Sequence, residues 1–182
     1  MVTIILAHPW HGSFNKAILD AVINKFDQEN KAYKVLDLNK DNFNPVLTES
    51  DLALYSKGQS KDPLVEKYQN ALKTSDEVVF IFPIWWGTMP AILKGFLDKV
   101  LLVNFSHNYE NGWTPLMKIK KTSVITTSQS PTENFKAGIE GNFIANITSV
   151  GFNNATWLNC EETSYGTQEH RIEFLKKAAD LV

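Results

Sequence analysis

Short runs of apolar residues alternate along the chain with segments in which apolar residues recur every three or four positions. Uninterrupted β-branched and aromatic runs are typical of strands buried on both faces, whereas helical spacing marks one apolar side of a helix. The predicted strands are residues 2–7, 34–38, 78–82, 122–127 and 155–158. The predicted helices are residues 14–26, 64–72, 90–102, 139–150 and 172–179.

Two long connections interrupt this alternation. Residues 39–62 are polar except for a predicted helical turn near 52–55, and a connection of this length is typical of a functional loop. Residues 104–118 carry Phe105, Tyr109 and Trp113 together with a glycine and a proline, so that we predict a second long loop there.

The alternation of strands and helices predicts an α/β fold with a parallel sheet, because parallel neighbours need crossover helices. The Gly-x-Gly-x-x-Gly motif of the six-stranded dinucleotide fold does not follow the first strand. We therefore predict one domain, residues 1–182, with a five-stranded parallel sheet in the order 2-1-3-4-5 and helices on both faces. Ligands of this fold bind at the ends of strands one, three and four.

Composition narrows the class of protein. Of the 182 residues 43% are hydrophobic and 21% charged, which is ordinary for a globular domain with a substantial core. A net charge of −2 gives no reason to expect nucleic acid or an anionic membrane as a partner. No apolar run approaches the ~20 residues of a membrane span, and the apolar N-terminus is too short for a signal peptide. We expect a cytoplasmic protein.

The chain offers little metal or thiol chemistry. Cys160 is the only cysteine, which excludes an intrachain disulfide and Cys-based metal clusters, and we interpret it as a small buried hydrophobe. His11, His107 and His170 have no partners at metal-ligand spacing, so that we predict surface histidines and no metal site.

The connection after the first strand has the features of a phosphate site. Ser13 is a good helix N-cap, and it would direct free N–H groups and the positive end of the helix dipole toward the same place as the Asn15 side chain. His8 and Lys16 could add a donor and a charge. The alternative is an ordinary capped helix beside a surface histidine.

The connection after the third strand indicates a planar ligand. Trp85 and Trp86 stand beside Gly87, just after Pro83 ends a buried strand, at the edge where open α/β sheets bind ligands. A flat, electron-poor ring would fit there, although the two indoles could instead belong to the core. After the fourth strand, residues 126–131 supply hydroxyl and N–H groups for a polar ring edge, or form a simple polar loop.

Together these segments resemble the flavodoxin-like NAD(P)H:quinone oxidoreductases, a family that includes bacterial ancillary flavoproteins of potassium efflux. The matching segments are Leu6-Ala7-His8-Pro9, Ser13-Phe14-Asn15, Asn42-Phe43-Asn44-Pro45, Phe82-Pro83-Ile84-Trp85-Trp86, Pro90-Ala91-Ile92-Leu93-Lys94-Gly95 and Thr126-Thr127. They occur in the family's order over nearly the whole chain.

The resemblance implies a flavin-dependent oxidoreductase that passes hydride from NAD(P)H through the flavin to a quinone or similar small acceptor, in a site formed by two subunits. It implies that the cofactor is bound by His8, Ser13, Phe14, Asn15, Pro83, Ile84, Trp85, Trp86, Thr126, Thr127 and Ser128. We expect N–H groups near Thr127 and Ser128 to stabilise negative charge on the reduced ring. Trp86, Thr127 and Glu140 are the residues expected at the reacting ring.

Some positions depart from the family pattern. Ser128-Gln129 stands where the family has Gly-Gly, and Glu140 stands where the quinone reductases have a histidine. A carboxylate there would oppose charge on the reduced flavin; alternatively, Glu140 is a solvated residue in the first turn of a helix beginning near Ile139. FMN is favoured over FAD, because the chain has neither a long insertion between Asp51 and Leu64 nor a C-terminal extension that could hold an adenine.

Two other classes stay open, namely a flavin-carrying regulatory subunit of a partner protein and a flavodoxin-type electron carrier. We also predict a homodimer. The helix over residues 90–102 is apolar on more of its circumference than one sheet face covers, and Phe105, Tyr109 and Trp113 add aromatic surface.

Overall fold

A five-stranded parallel sheet forms the centre of the computed structural model, which describes residues 1–182. The strands of the chain are β1 (Val2–Leu6), β2 (Tyr33–Asp37), β3 (Glu77–Pro83), β4 (His107–Asn108), β5 (Thr114–Pro115), β6 (Lys121–Thr127) and β7 (Ala155–Cys160). The sheet order is β2-β1-β3-β6-β7, while β4 and β5 form a separate antiparallel hairpin. Without the hairpin this is the predicted order 2-1-3-4-5, which is confirmed.

Helices flank the sheet, and their bounds extend or correct the predicted ones. The regular helices are α1 (Phe14–Gln28), α2 (Glu49–Tyr55), α3 (Pro63–Lys73), α4 (Ala91–Val100) and α7 (Gln168–Leu181). Between α4 and α7 lies a composite helical run, the fifth in chain order. It consists of a 3₁₀ turn (Thr132–Phe135), α5 (Lys136–Gly138), a π-helical segment (Ile139–Ile144) and α6 (Ala145–Ser149). None of these helices is both long and apolar enough to cross a bilayer.

Three sequence predictions differ from this structure. The fifth helical run begins at Thr132 rather than near Ile139, because its first turns are polar and its π-helical segment breaks the 3.6-residue spacing on which the prediction rested. The predicted turn near 52–55 is the end of α2, which begins with a capping box between Thr48 and Asp51. Residues 104–118, predicted as a loop, contain the β4–β5 hairpin.

Successive residues of each central strand point to opposite faces of the sheet and contribute to two separate hydrophobic cores. One core joins Ile4, Leu6, Ile81 and Ile125 with buried residues of α1 and α7, of which Phe26 is fully buried. The other core joins Ile5, Phe80, Phe82 and Val124 with residues of α3, α4 and the fifth helical run. Both faces of the central strands are therefore covered, which explains their uninterrupted apolar sequence.

The Asn42–Pro45 motif is fixed against α4. Lys99 is 5% exposed, and its ammonium contacts the Asn44 carbonyl oxygen at 3.0 Å and Asp62 Oδ2 at 3.3 Å. A Cβ on Gly95 would lie 2.3 Å from Pro45, so that only glycine permits this approach. The long connection over residues 39–62 is therefore anchored to the helix that follows the Trp85-Trp86 segment.

Candidate functional site

The three predicted ligand loops meet at the carboxyl edge of the sheet, and hydrogen bonds to Thr127 join them. We name them the first loop (residues 7–13), the second loop (84–90) and the third loop (128–132). Asn15 Nδ2, in the first turn of α1, donates to Thr127 Oγ1 at 2.9 Å. The N–H of Ile84 donates to the Thr127 carbonyl oxygen at 2.8 Å. The end of β6 therefore links the start of α1 to the second loop.

The start of α1 presents several unused hydrogen-bonding groups. Ser13 is the N-cap, as predicted, and its Oγ accepts from the Lys16 N–H at 3.2 Å, which leaves the hydroxyl proton free to donate. The N–H groups of Gly12, Phe14 and Asn15 have no acceptor in the molecule. Asn15 is 2% exposed, and its Oδ1 has no partner.

This donor set fits the phosphate ester of a sugar alcohol. Helix N–H groups, the helix dipole and the Ser13 hydroxyl all favour a bound phosphate, which only accepts hydrogen bonds. The unpaired Asn15 Oδ1 needs a donor instead, and a sugar hydroxyl would supply one. Lys16 contributes less charge than expected, because its ammonium pairs with Asp20 one turn along α1.

His8 keeps one ring nitrogen for a ligand. Its Nδ1 lies 3.1 Å from the Trp10 nitrogen and 3.2 Å from the Trp10 carbonyl oxygen, so that either tautomer uses Nδ1 within the first loop. Nε2 remains available. Burial lowers the pKa of His8 below its usual value, more than its hydrogen bond to the Trp10 backbone raises it. The ring also meets Trp85 edge to face, with centroids 5.8 Å apart.

The second loop exposes both indoles, so that Trp85 and Trp86 are not core residues. They are 44% and 103% exposed, respectively. Trp86 has φ of 51° and Gly87 has φ of 78°, and reciprocal backbone hydrogen bonds between Trp85 and Thr88 close a two-residue turn around them. A bulky side chain rarely adopts this left-handed conformation, so that the backbone at Trp86 is strained.

Pro83 and Ile84 precede these indoles and are both buried. Ile84 belongs to the core that packs against α4, and its N–H is used by Thr127. Their side chains therefore do not face the site, and the predicted contribution of Pro83 and Ile84 is limited to holding the backbone that leads into Trp85 and Trp86. Phe14, on the first turn of α1, likewise packs with Phe174 of α7, with ring centroids 6.1 Å apart.

Thr126 and Thr127 have opposite orientations, as neighbours in a strand must. Thr127 Oγ1 meets Asn15, whereas the fully buried Thr126 hydroxyl accepts from Trp157 Nε1 and donates to Asn159 Oδ1, each at 2.8 Å. The expectation that both threonine side chains line the site is corrected for Thr126. Its hydroxyl instead holds β6 against β7.

The third loop corrects a second expectation. The N–H of Ser128, predicted to face the reduced ring, donates to the Cys160 carbonyl oxygen at 2.8 Å. The N–H groups of Gln129 and Ser130 have no acceptor in the molecule, so that the free donors lie one and two residues further along the chain. Cys160 itself is buried as predicted, and burial raises its pKa to about 11.

Glu140 lies in the π-helical segment, close in sequence to a contact with the second loop. A Cβ on Gly138 would come within 3.0 Å of the Gly87 carbonyl oxygen. The Glu140 side chain is exposed and joins no hydrogen bond or ion pair. The alternative prediction, a solvated residue in the first turn of a helix beginning near Ile139, agrees with this position, because the π-helical segment begins at Ile139 and Glu140 is in its first turn. That segment continues a helical run that begins at Thr132.

Several functional candidates were missed by sequence reasoning. His11 Nε2 lies 2.7 Å from Asp37 Oδ2 at the end of β2, so that this exposed histidine ties the first loop to β2. His107, predicted at the surface, is half-buried and stacks on Trp113 with centroids 4.2 Å apart. Asn159 supports the third loop, and its only sequence signal is a polar residue near the end of an apolar strand.

Known proteins share this architecture. A family model described as having a flavodoxin-like fold matches residues 1–180. An uncharacterized NAD(P)H oxidoreductase of Haemophilus influenzae is 35% identical over 136 residues, which are 73% of this chain and 66% of that protein. The NAD(P)H dehydrogenase [quinone] 1 of Rattus norvegicus is 29% identical over 76% of this chain and 57% of its own length.

A solved structure has the same fold along nearly its whole length. The NAD(P)H:quinone oxidoreductase from Methanothermobacter marburgensis superposes with a TM-score of 0.90 at 23% identity, covering 98% of this chain and 95% of that one. The chain spans between about half and two thirds of the lengths of the first curated relatives that it matches. The family match over residues 1–180 and the sheet order agree: this chain belongs to the flavodoxin-like family in which these NAD(P)H oxidoreductases are found.

Proposed function

We propose that the protein is an FMN-dependent NAD(P)H oxidoreductase that passes hydride from NAD(P)H to a quinone or similar small acceptor. One observation carries the proposal: the buried Asn15 amide bonds Thr127 of β6 while its Oδ1 lacks a partner, beside the free N–H groups of α1. The names of the Haemophilus and rat relatives support the reaction class. We further propose that residues 1–182 act as one domain in the cytoplasm.

The first loop and the start of α1 hold the phosphate in this proposal. Ser13 donates its hydroxyl proton, and the Phe14 and Asn15 N–H groups add donors without reorganisation, because the N-cap already fixes the turn. His8 Nε2 donates from the strand tip when Nδ1 accepts from the Trp10 N–H. FMN is favoured over FAD, since residues 51–64 form only the end of α2, a short connection and the first residues of α3.

The second and third loops act on the ring. Trp85 and Trp86 offer exposed aromatic faces, and Thr127 fixes the distance between these loops and α1. The bound flavin would supply the hydride-accepting and hydride-donating chemistry, while the protein orients the reactants and excludes water. The free N–H groups of Gln129 and Ser130 are suited to the ring edge on which negative charge develops.

We propose a homodimer as the active form. A groove of about 340 Å³ runs between α4, the β4–β5 hairpin and α6, and Leu97, Leu101, Trp113 and Val150 line it. Trp113 is 50% exposed, and Tyr109, whose ring packs against Trp113, is 62% exposed. A second copy of the chain would bury this apolar surface in a self-complementary contact.

Two measurements test the reaction class. We expect added FMN to quench the intrinsic fluorescence of the exposed tryptophans at a stoichiometry of one per chain, and the purified protein to absorb as a flavoprotein. Excess FMN and excess FAD that both leave the fluorescence unchanged would show that the flavin assignment is wrong. With flavin bound, quinone-dependent oxidation of NADH or NADPH distinguishes an enzyme from a regulatory flavoprotein or an electron carrier.

A further inference from the structure

A buried polar network connects the last strand of the sheet to the third loop. Trp157 Nε1 donates to Thr126 Oγ1, and that hydroxyl donates onward to Asn159 Oδ1, each at 2.8 Å. Thr126 is fully buried, and Trp157 and Asn159 are partly buried. The orientation of the Asn159 amide is thereby fixed, because its oxygen is committed to β6 and its nitrogen must face the other way.

The Asn159 nitrogen bridges the two ends of the third loop. Nδ2 donates to Ser128 Oγ and to Thr132 Oγ1, each at 2.9 Å. Ser128 Oγ in turn donates to the Ser130 carbonyl oxygen at 2.8 Å, across the middle of the loop. Both Nδ2 protons and the Oδ1 of Asn159 therefore take part in hydrogen bonds. We call the bridge from Asn159 to Ser128 and Thr132 the Asn159 clamp.

Backbone hydrogen bonds connect the same loop to the segment after β7. The Thr163 N–H and Oγ1 both donate to the Ser128 carbonyl oxygen, at 3.1 and 2.9 Å. Gln129 pairs with Ser164 through both ends of its side-chain amide. These contacts hold the backbone of Gln129 and Ser130 while leaving their N–H groups without acceptors.

We propose that Asn159 is a positioning residue for the flavin: it holds the free N–H groups of Gln129 and Ser130 toward the ring edge that becomes negatively charged on reduction. The proposal rests on the proposed function. Ser128 and Gln129 stand where the family has two glycines, and the Ser128 hydroxyl is one of the two to which Asn159 Nδ2 donates. Donors fixed before the reaction stabilise the developing charge without a reorganisation cost, so that loosening the clamp affects the reduced ring more than the oxidised one.

The test compares Asn159→Leu with Asn153→Leu. Leucine keeps the approximate size of asparagine and removes every hydrogen bond of the amide. Asn153 is a matched control, because its Nδ2 also makes two hydrogen bonds, to the Ile119 and Gly151 carbonyl oxygens, but near the opposite end of β7. Both variants should lower the melting temperature.

Only Asn159→Leu should affect the third loop. In the protein without flavin, we expect faster amide hydrogen exchange at Ser128 and Thr163 in this variant alone, because their N–H groups are hydrogen bonded to the Cys160 and Ser128 carbonyl oxygens. On titration with FMN, the dissociation constant of the oxidised flavin should change by less than about threefold, since the phosphate-binding groups at the start of α1 are unchanged. The affinity for reduced FMN should fall about tenfold, which makes the midpoint potential of the bound flavin more negative.

The outcomes separate the two proposals. A parent protein that binds no FMN overturns the proposed function and this inference with it. A parent that binds FMN, together with an Asn159→Leu variant whose potential and loop exchange match those of Asn153→Leu, overturns the inference alone and leaves Asn159 a merely structural residue. A potential shift confined to Asn159→Leu supports the positioning role.

Discussion

At the scale of single residues, Ser13 has two roles that can be separated by experiment. Ser13→Ala removes a helix cap, which costs about 1 kcal/mol of stability, and a donor to a charged phosphate, worth about 1.5–3 kcal/mol. We therefore expect FMN binding to weaken about ten- to a hundredfold, measured by fluorescence titration.

Thr167→Ala provides the matched control for Ser13→Ala. Thr167 caps α7 in the same way, with its hydroxyl accepting from the His170 N–H at 3.1 Å, far from the first loop in sequence. It should lose similar stability and bind FMN normally. An unchanged dissociation constant in Ser13→Ala would place the phosphate elsewhere.

Trp86 should show opposite effects on stability and binding. Its left-handed backbone costs about 1–2 kcal/mol for a bulky residue, whereas asparagine tolerates this conformation. We expect Trp86→Asn to raise the unfolding free energy by up to about 1 kcal/mol and to weaken FMN binding about three- to tenfold, through the loss of an aromatic contact worth about 0.5–1.5 kcal/mol.

The neighbouring glycine separates strain from ligand contact. A Cβ on Gly87 meets nothing within 4 Å, so that Gly87→Ala adds only left-handed strain and should destabilise the fold by about 1 kcal/mol. Thermal unfolding and FMN titration of both variants check the pair. If Trp86→Asn lowers the unfolding free energy as Gly87→Ala does, the left-handed backbone at Trp86 does not destabilise the parent protein and the prediction is wrong.

At the scale of elements, the π-helical segment carries Glu140, whose charge is expected to affect the rate of flavin reduction. Its side chain is exposed and unpaired, and it follows Gly138, whose backbone approaches Gly87, by two residues in sequence. We predict that Glu140→Gln and Glu140→His speed flavin reduction by NAD(P)H in stopped-flow experiments, because in the proposed site they remove negative charge near the reduced ring. Solvent screens an exposed charge, so that the gain should stay below about tenfold.

Glu133→Gln is the control for this segment, since Glu133 is also exposed and lies in the preceding 3₁₀ turn. Its reduction rate should equal that of the parent. Equal rates in all the Glu140 variants would identify Glu140 as an ordinary solvated residue, and the departure from the family pattern at that position would have no catalytic consequence.

The strands were predictable because a strand buried on both faces has a continuous apolar sequence. Pro83 or polar residues mark where such a sequence ends. Local chemistry also revealed the Ser13 cap and the exposed second loop. The two-residue period of a strand was enough to predict that Thr126 and Thr127 point to opposite faces of the sheet. The family resemblance assigned both residues to the site instead. The Asn159 clamp was not predictable, since its partners lie on β6 and in the third loop, which are far from β7 in sequence and meet it only in the folded sheet.

At the scale of the whole molecule, the groove between α4, the β4–β5 hairpin and α6 predicts assembly. We expect sedimentation as a dimer, at twice the chain mass of 20.6 kDa, at micromolar concentration. Trp113→Ser should shift the protein toward monomer, because Trp113 lines the groove and is half exposed. Tyr165→Ser is the control, since Tyr165 is 85% exposed but lies outside the groove. A parent that sediments at about 20 kDa would contradict the prediction.

The strand order also has a consequence for synthesis on the ribosome. β2, β1 and β3 are neighbours in the sheet and all precede residue 84, so that these three strands can pair as soon as β3 has emerged. The apolar edge of β3 then stays open until β6 is translated. A nascent chain stalled in that interval would present an unpaired strand to its neighbours, and this protein should depend on chaperones most at that stage.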